Sequence, residues 1–404
     1  MADRELKSST DELHQTEIFM SLPNQLPLRD IVVIELGHSV AAPFAGQIFA
    51  DLGATVIKVE KSSGDDARGW GPPFWEGAAS LFQTLNRNKQ SVVCNLRDAQ
   101  QLLALKRLIH ESADVVIQNL RPGQVAKLGL DAKTLRAEKP ELIYCNMGAF
   151  GNKGPLKDHP GYDPLMQAFG GIMSTTGEPG QRSVRVGPSI VDMGTGMWAA
   201  IGVLTALYQR KSSGSGADVD VSLFETAVSW MSVFACQYMS SGEVPGKSGS
   251  GSASIVPYKS YLTEDGELVV AAGNDALFQK LCVVIGMPEL ASDPQYIDNK
   301  SRVLNHKALY AILDPVFLQR PSDEWTSILE TAGIPCAPVN DTAEMVNHPQ
   351  TADLGIIAPV PGTDMRMVGL PITLNGERPT PYRAPPMLGE HTDLHLFSTA
   401  AAAD

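Results

Sequence analysis

The sequence is poor in cysteine. Five cysteines occur among 404 residues, they are widely spaced, and none forms a Cys-x-x-Cys pair (Cys94, Cys145, Cys236, Cys282 and Cys336). A disulfide framework needs paired cysteines and a zinc site needs closely spaced ones, so the pattern argues against both. It predicts free thiols in a reducing compartment, and therefore a cytoplasmic protein.

Long apolar runs and excess positive charge are also missing. No run of 18 apolar residues occurs, and residues 1–25 lack the apolar segment of a signal peptide. The sequence therefore predicts no contact with a membrane. The 32 Lys and Arg against 45 Asp and Glu give a net charge of −13, which argues against nucleic acid as a partner. A local basic pocket for an anionic small ligand stays compatible with that charge.

Several cofactor motifs are absent. Gly246-Lys247-Ser248 resembles the end of a phosphate-binding loop, but Ser241 stands where that motif needs glycine. No Gly-x-Gly-x-x-Gly follows the first apolar run, and neither His-Glu-x-x-His nor Gly-x-Ser-x-Gly occurs. The eight histidines are scattered. The sequence thus predicts no metal site and no permanently bound cofactor.

Apolar runs typical of buried parallel strands alternate with amphipathic helical stretches through about residue 150. The predicted strands are 31–36, 55–60, 91–96, 114–118 and 142–147, and the predicted helices include 43–52 and 99–111. This alternation predicts an α/β fold with a Rossmann-like, doubly wound parallel sheet.

The pattern changes in the second half of the chain. Residues 255–262 and 267–272 have the composition of two strands joined by a turn, and short helical stretches follow at 277–285 and 323–332. We expect a second, smaller α+β domain there. The polar residues 1–27 predict a flexible leader.

Asp192 stands between a short apolar segment and a long helical stretch that begins with small residues. One interpretation is a helix N-cap, a role that aspartate favours. The other is functional, because a carboxylate kept ionised by a helix N-terminus can act as a nucleophile toward an acyl group. On that view Gly194 and Gly196 would let a bulky ligand approach closely.

Three loop features have a structural and a functional interpretation. Gly249, Ser250, Gly251 and Ser252 form either a flexible linker or a mobile lid. Arg68 and Arg87 lie in loops near predicted strand ends, where α/β proteins bind ligands. The segment 119–123, with Lys127 shortly after it, places basic side chains where they could hold phosphates, although a solvated surface is equally compatible.

Several segments, taken in order, resemble the class III (CaiB/BaiF-type) CoA-transferases, which are related to acyl-CoA racemases. The resemblance covers residues 27–395. The segments that carry it are Gly53-Ala54-Thr55-Val56-Ile57-Lys58-Val59-Glu60, Asn86-Arg87-Asn88-Lys89, Asn119-Leu120-Arg121-Pro122-Gly123, Gly161-Tyr162-Asp163, Asp192-Met193-Gly194-Thr195-Gly196 and Leu388-Gly389-Glu390-His391-Thr392.

The resemblance implies that Asp192 is the catalytic nucleophile, which forms an aspartyl mixed anhydride and then an aspartyl-CoA thioester. It implies a glycine loop at residues 249–252, here interrupted by serine. It also implies CoA contacts and candidate substrate contacts. The CoA contacts are Ser39, Ala41, Lys61, Leu96, Arg97, Asn119, Leu120, Arg121 and Lys127, and the substrate candidates are Val40, Arg68, Arg87, Tyr162 and Asp163.

The family fold implies a large CoA-binding domain built from residues 28–215 and 340–404, with a linker helix and small domain at 216–339. It also implies an interlocked homodimer. Tyr162 stands where the racemases carry a histidine base, which favours the transferase over a racemase. A non-catalytic CoA-binding subunit stays open as a further alternative. The dicarboxylate branch implies succinyl-CoA as donor and a glutarate-, hydroxymethylglutarate- or itaconate-like acceptor.

Overall fold

The computed structural model describes residues 26–397, so all but two residues of the predicted leader lie outside it. The chain divides into two compact units. The first contains the described residues through Gly170, the segment Val186–Ser232 and the residues from Pro349 onward. The second contains Gly171–Arg185 and Val233–His348.

A six-stranded parallel sheet forms the centre of the first unit. Its strands are β1 (Val32–Leu36), β2 (Thr55–Glu60), β3 (Gln90–Val93), β4 (Val115–Gln118), β5 (Ile143–Gly148) and β6 (Asp218–Ser222). Their order is β3-β2-β1-β4-β5-β6, with each neighbouring pair parallel. This is the strand order of a Rossmann-like fold, and it confirms the predicted parallel sheet. The order reverses between β1 and β4.

Helices cover both faces of this sheet. On one face α1 (Ala41–Asp51) and α8 (Ile190–Ser213) pack against each other, with α1 on β1 and α8 on β5 and β6. On the other face α3 (Ala99–Ser112) and α5 (Ala132–Glu138) contribute Leu105, Ile109 and Leu135 to an apolar core with residues of the strands. Shorter helices of this unit are α2 (Ser80–Asn86), α4 (Gln124–Leu128), α6 (Asp163–Phe169) and α9 (Leu223–Trp230).

Within residues 26–397, α8 alone is long and apolar enough to cross a membrane by length and composition. Half of that stretch is buried inside the structure, and its buried face includes Val191, Ala199 and Val203. Core helices of α/β proteins pass the same test, and the packing of α8 against α1 and the sheet is that of a core helix.

The second unit is built on an antiparallel sheet of β7 (Tyr258–Leu262), β8 (Glu267–Ala271) and β9 (Cys336–Pro338), with β8 in the middle. Its helices are α7 (Ile172–Thr175), α10 (Ser232–Ser241), α11 (Asp275–Val284), α12 (Asn299–Leu304), α13 (His306–Phe317), α14 (Ser322–Thr331) and α15 (Thr342–Asn347); the first residue of α10 belongs to the first unit. Tyr261, Phe278, Phe317 and Trp325 pack in its core. The family resemblance implied a linker helix and small domain at 216–339, whereas residues 218–222 form the last strand of the parallel sheet.

The C-terminal segment returns to the first unit. It contains α16 (Pro349–Asp353) and an antiparallel pair, β10 (Ile357–Pro359) with β11 (Arg366–Val368). His391 donates its backbone N–H to the carbonyl of Ser91, and the Thr392 hydroxyl accepts the N–H of Val93 at 3.0 Å. The free edge of β3 is therefore covered by this segment of the same chain.

Candidate active site

A pocket of about 600 Å³ opens at the carboxyl edge of the parallel sheet, beside the point where the strand order reverses. Open α/β sheets bind their ligands at this edge, and the volume fits a small-molecule site. Its walls come from the ends of β1 and β2 and from the loops after β3 and β4. The lining residues are Leu36, Gly37, His38, residues 59–66, residues 94–97, Leu120 and Gln124.

Four of the predicted CoA contacts line this pocket: Lys61, Leu96, Arg97 and Leu120. The exposed Lys61 ammonium lies 2.7 Å from the Asp66 carboxylate, which also lines the pocket. Lys61 and Arg97 thus bring two cationic side chains to one cavity in a strongly acidic protein.

The other predicted CoA contacts do not line the pocket. Ser39 follows the pocket residue His38 in the turn that leads into α1, and Ala41 is the first residue of that helix. Arg121 and Lys127 are exposed, and Lys127 lies on the short helix α4. Asn119 is half-buried, and its side chain binds the backbone of the pocket residue His38.

Sequence reasoning missed the pocket residues His38, Asp65 and Gln124. Burial, together with the nearby Lys58 and Lys61, holds the pKa of His38 below its ordinary value against the opposing effect of Asp65 and Asp66. His38 therefore offers a neutral ring at pH 7, a hydrogen-bonding partner for a ligand. The signal in the sequence that could have identified His38 is its position directly after the first strand.

Asp192 lies in the first turn of α8 and is half-buried. The helix begins at Ile190, so Asp192 is its third residue, and the predicted N-cap position is occupied by Ser189. The prediction of a carboxylate kept ionised by the helix was also wrong. Burial, reinforced by the charge of Asp163, raises the pKa of Asp192 to about 7. The side chain is thus a basic carboxylate that titrates near neutral pH.

Asp163, the first residue of α6, is buried and faces the start of α8. Its Oδ2 accepts the backbone N–H groups of Val191 at 2.8 Å and Asp192 at 3.2 Å. Its Oδ1 accepts the side-chain amide of Gln167 at 2.6 Å. Asp163 therefore caps α8 from another helix, and both of its carboxylate oxygens accept hydrogen bonds from within the protein. The preceding Tyr162 is exposed.

The glycines after Asp192 serve helix packing. A Cβ on Gly194 would lie 2.8 Å from the Trp230 ring, and one on Gly196 would lie 2.8 Å from the Ala41 carbonyl oxygen. Other atoms of the protein thus occupy the space that the sequence analysis left for a ligand. The small residues let α8 approach α1 and α9 closely.

The arginines proposed as substrate contacts are engaged elsewhere. Arg87 is fully buried, with Nε 3.0 Å and Nη2 2.5 Å from the two carboxylate oxygens of Asp51. Arg68 forms a similar fork with Glu60 and stacks on the Phe82 ring. Neither guanidinium is available to a substrate carboxylate, because each is paired with a buried acid. Val40 is buried at the start of α1.

The glycine loop lies in the second unit and is hydrogen-bonded to its neighbours. The Ser250 hydroxyl accepts the N–H of Ser260 at 3.0 Å and its hydroxyl at 2.8 Å. Gly249 has a φ of 62°, and a Cβ there would lie 2.6 Å from the Glu178 carboxylate. This arrangement requires glycine at position 249 and explains the serine at position 250 as a contact with β7.

Comparison with known proteins agrees with these features. The chain is 37% identical over 382 residues to succinate–glutarate CoA-transferase of Agrobacterium fabrum, covering 92% of this chain and 95% of that one. It is also 37% identical over 353 residues to acetyl-CoA:oxalate CoA-transferase of Acetobacter aceti, covering 87% and 90%. A crystal structure of a CAIB/BAIF family protein from Brucella suis superposes with a TM-score of 0.82 at 36% identity, covering 91% and 98%.

The sequence profile of CoA-transferase family III matches residues 28–392, which include every element of the parallel sheet, the pocket and Asp192. The relatives above match over nearly their full lengths. The chain belongs to CoA-transferase family III and is a class III CoA-transferase.

Proposed function

We propose that this enzyme moves CoA from succinyl-CoA to a dicarboxylic acid of the glutarate type, with Asp192 as the nucleophile. The observation that carries the proposal is the state of Asp192, a half-buried carboxylate with a pKa of about 7 in the first turn of α8. Because nucleophilicity rises with basicity, such a carboxylate attacks a thioester better than an ordinary aspartate. An ionised fraction of Asp192 is therefore present at neutral pH.

The proposed reaction needs no external proton donor. The Asp192 carboxylate attacks the succinyl carbonyl and forms a carbon–oxygen bond. The carbon–sulfur bond then breaks, so CoA departs as the thiolate and a mixed anhydride of Asp192 and succinate remains. The thiolate then attacks the Asp192 acyl carbon and releases succinate, which leaves an aspartyl-CoA thioester. The acceptor carboxylate displaces the thiolate from it, and the thiolate attacks the acceptor's acyl carbon to give the new CoA thioester and free Asp192.

The pocket at the carboxyl edge supports CoA as its occupant. The cationic side chains of Lys61 and Arg97 can pair with CoA phosphates, and Lys61 would exchange the exposed Asp66 for that partner. The neutral ring of His38 and the apolar Leu96 and Leu120 offer contacts for uncharged parts of the molecule. In this proposal CoA binds as part of the substrate, the acyl-CoA thioester, and is not a permanently bound cofactor.

The relatives support the acyl group. The similarity to succinate–glutarate CoA-transferase of Agrobacterium fabrum favours two dicarboxylic acids as the acids between which CoA is exchanged. The oxalate enzyme of Acetobacter aceti is similar at the same identity, so oxalate belongs in the test.

A homodimer and a cytoplasmic location complete the proposal. One side of α8 exposes Met197, Trp198, Ile201 and Tyr208, with Tyr208 80% exposed. Apolar side chains clustered along one helix are typical of a surface that another chain covers. The five cysteines are all free thiols, as in a reducing compartment. Light scattering should give twice the mass of 43.3 kDa, and Ile201→Glu should lower it.

The experiment incubates the protein with succinyl-CoA and glutarate, hydroxymethylglutarate, itaconate or oxalate, and follows the new CoA thioester by mass spectrometry. We expect glutaryl-CoA from the wild type, none from Asp192→Asn, and an unchanged rate from the exposed control Asn347→Ala. Hydroxylamine added during turnover should convert the peptide containing Asp192 into a hydroxamate. The absence of exchange with every acid, or full activity of Asp192→Asn, would contradict the proposal.

A further inference from the structure

The turn between β1 and α1 has an unusual backbone. Ser39 has a φ of 70°, in the left-handed region that favours glycine. The residue before it, His38, lines the pocket. A strained conformation at a non-glycine residue persists only where the surrounding structure holds it in place.

Asn119 holds one side of this turn. Its Oδ1 accepts the backbone N–H of His38 at 3.0 Å, and its Nδ2 donates to the His38 carbonyl at 2.9 Å. One amide side chain thus satisfies both backbone groups of the pocket residue. Asn119 itself does not line the pocket, so the structure gives it a different place from the direct CoA contact that the family resemblance implies.

Asp65 holds the other side. Its Oδ1 accepts the N–H of Ser39 at 3.2 Å and that of Ala67 at 3.0 Å. Its Oδ2 lies 2.9 Å from the ammonium of Lys58, a side chain with no exposed surface. Lys58 also donates to the Gly37 carbonyl at 2.9 Å. Burial alone would lower the pKa of Lys58, but Glu35, Asp65 and Glu60 together raise it, so the ammonium keeps its charge.

The far end of the turn reaches the helix that carries Asp192. Gly196 follows Asp192 by one helical turn, and a Cβ on it would lie 2.8 Å from the carbonyl oxygen of Ala41. Residues 38–41 therefore run from the pocket wall, at His38, to a tightly packed contact with α8, at Ala41. A displacement of this turn would move the pocket relative to Asp192.

We infer that Asn119 and Asp65 are positioning residues that hold the His38–Ser39 turn and so align a CoA thioester in the pocket with Asp192. This inference rests on the proposed function, because it takes the pocket as the CoA site. It assigns Asn119 an indirect role, through the backbone of His38. The charge of Lys58 anchors Asp65 to the core of the sheet.

The test compares Asn119→Ala, Ser39→Gly and the double variant in the succinyl-CoA assay, with Asn347→Ala as a matched exposed amide. A small misalignment lowers the rate of the chemical step strongly, so Asn119→Ala should lower kcat about 10- to 100-fold. Glycine adopts the left-handed conformation without the clamp. The loss of kcat caused by Asn119→Ala should therefore be at least about threefold smaller in the Ser39→Gly background than in the wild-type background.

A direct contact between Asn119 and CoA gives different results. Loss of uniform binding raises KM and leaves kcat unchanged, and glycine at position 39 would restore nothing. Either result would overturn the inference. If Asn119→Ala does not fold, Asp65→Asn supplies the same comparison with Ser39→Gly. A wild type that transfers no CoA would contradict the proposed function instead, so the two failures are distinguishable.

Discussion

The carboxylate of Asp163 accepts the backbone N–H of Asp192 at 3.2 Å and that of Val191 at 2.8 Å. The two aspartates are 29 residues apart in sequence, yet one fixes the start of the helix on which the other lies. The same contact brings a negative charge next to Asp192. Asp163 therefore orders the backbone of the site and, after burial, is the second cause of the raised pKa of Asp192.

The raised pKa predicts how the rate of CoA transfer depends on pH. Asp192 must be ionised to attack, and its pKa is about 7. We expect kcat/KM for succinyl-CoA to be constant above about pH 8 and to fall about tenfold per pH unit below about pH 6. A profile that stays flat from pH 5 to pH 8 would show that Asp192 is already ionised at pH 5.

Asp163→Asn should move this acid limb. Removing the neighbouring charge lowers the pKa of Asp192, so the limb shifts to lower pH, while burial still keeps the pKa above that of a free aspartate. The less basic carboxylate is a weaker nucleophile, so the plateau rate above pH 8 should also fall. The pH profile measures both effects, and circular dichroism checks that the protein keeps its fold. A lower plateau with an unshifted limb would show that Asp163 acts only by ordering the backbone of α8, without changing the pKa of Asp192.

The same pKa makes Asp192 costly for stability. An unfolded aspartate releases its proton near pH 3.9, whereas the folded chain holds that proton up to about pH 7. The folded state binds more protons in this window, so the free energy of unfolding decreases as the pH rises through it. Asp192→Asn is neutral throughout and avoids the loss.

We therefore expect Asp192→Asn to match the wild type below about pH 4 and to be more stable above pH 7. After allowance for solvent screening of a half-buried group, the gain should be about 1–2 kcal/mol, or about 2–4 °C in Tm. Thermal unfolding at pH 4 and pH 8 measures it. Equal stability of the two proteins at pH 8 would contradict the raised pKa.

The sequence predicted the sheet well where both faces of a strand are buried. Residues 31–36 and 55–60 form apolar runs, and they correspond to β1 and β2. β6 was missed because its sequence Asp218-Val219-Asp220-Val221-Ser222 alternates, as suits an edge strand with exposed aspartates. The predicted strand 91–96 ends at Val93, since the residues after it turn to line the pocket.

The candidate site was predictable only in part, for a physical reason. The small residues after Asp192 drew attention to this carboxylate, but its pKa depends on burial and on Asp163, which are set by the tertiary structure. The position of Arg87 in a loop near a predicted strand end indicated that it is available to a ligand. Its partner Asp51 lies 36 residues earlier in the chain, and no local pattern announces that contact.

The Arg87–Asp51 pair predicts a stability effect with no effect on substrate binding. Both side chains are buried, so Arg87→Met would leave the carboxylate of Asp51 charged and unpaired. Breaking a buried ion pair this way costs about 3–5 kcal/mol, which corresponds to about 6–10 °C in Tm. Asp51→Asn in the same chain removes the orphaned charge, so the double variant should be more stable than Arg87→Met. A raised KM for the acceptor acid at unchanged Tm would contradict this prediction and indicate that Arg87 contacts the substrate.

Ser250 predicts the behaviour of the glycine loop. Its hydroxyl accepts two hydrogen bonds from Ser260 on β7, so Ser250→Ala removes the side-chain connection between the loop and the sheet. Each bond contributes about 1 kcal/mol, so amide hydrogen exchange of residues 248–254 and of the Ser260 N–H should speed up about 5- to 30-fold. Ser240→Ala, which loses a hydroxyl bonded to Gln237 on an exposed helix, is the control and should leave this exchange unchanged. Unchanged exchange in the loop would mean that the backbone bonds from Gly249 to Gly177 and from Ser252 to Tyr258 are sufficient to hold it.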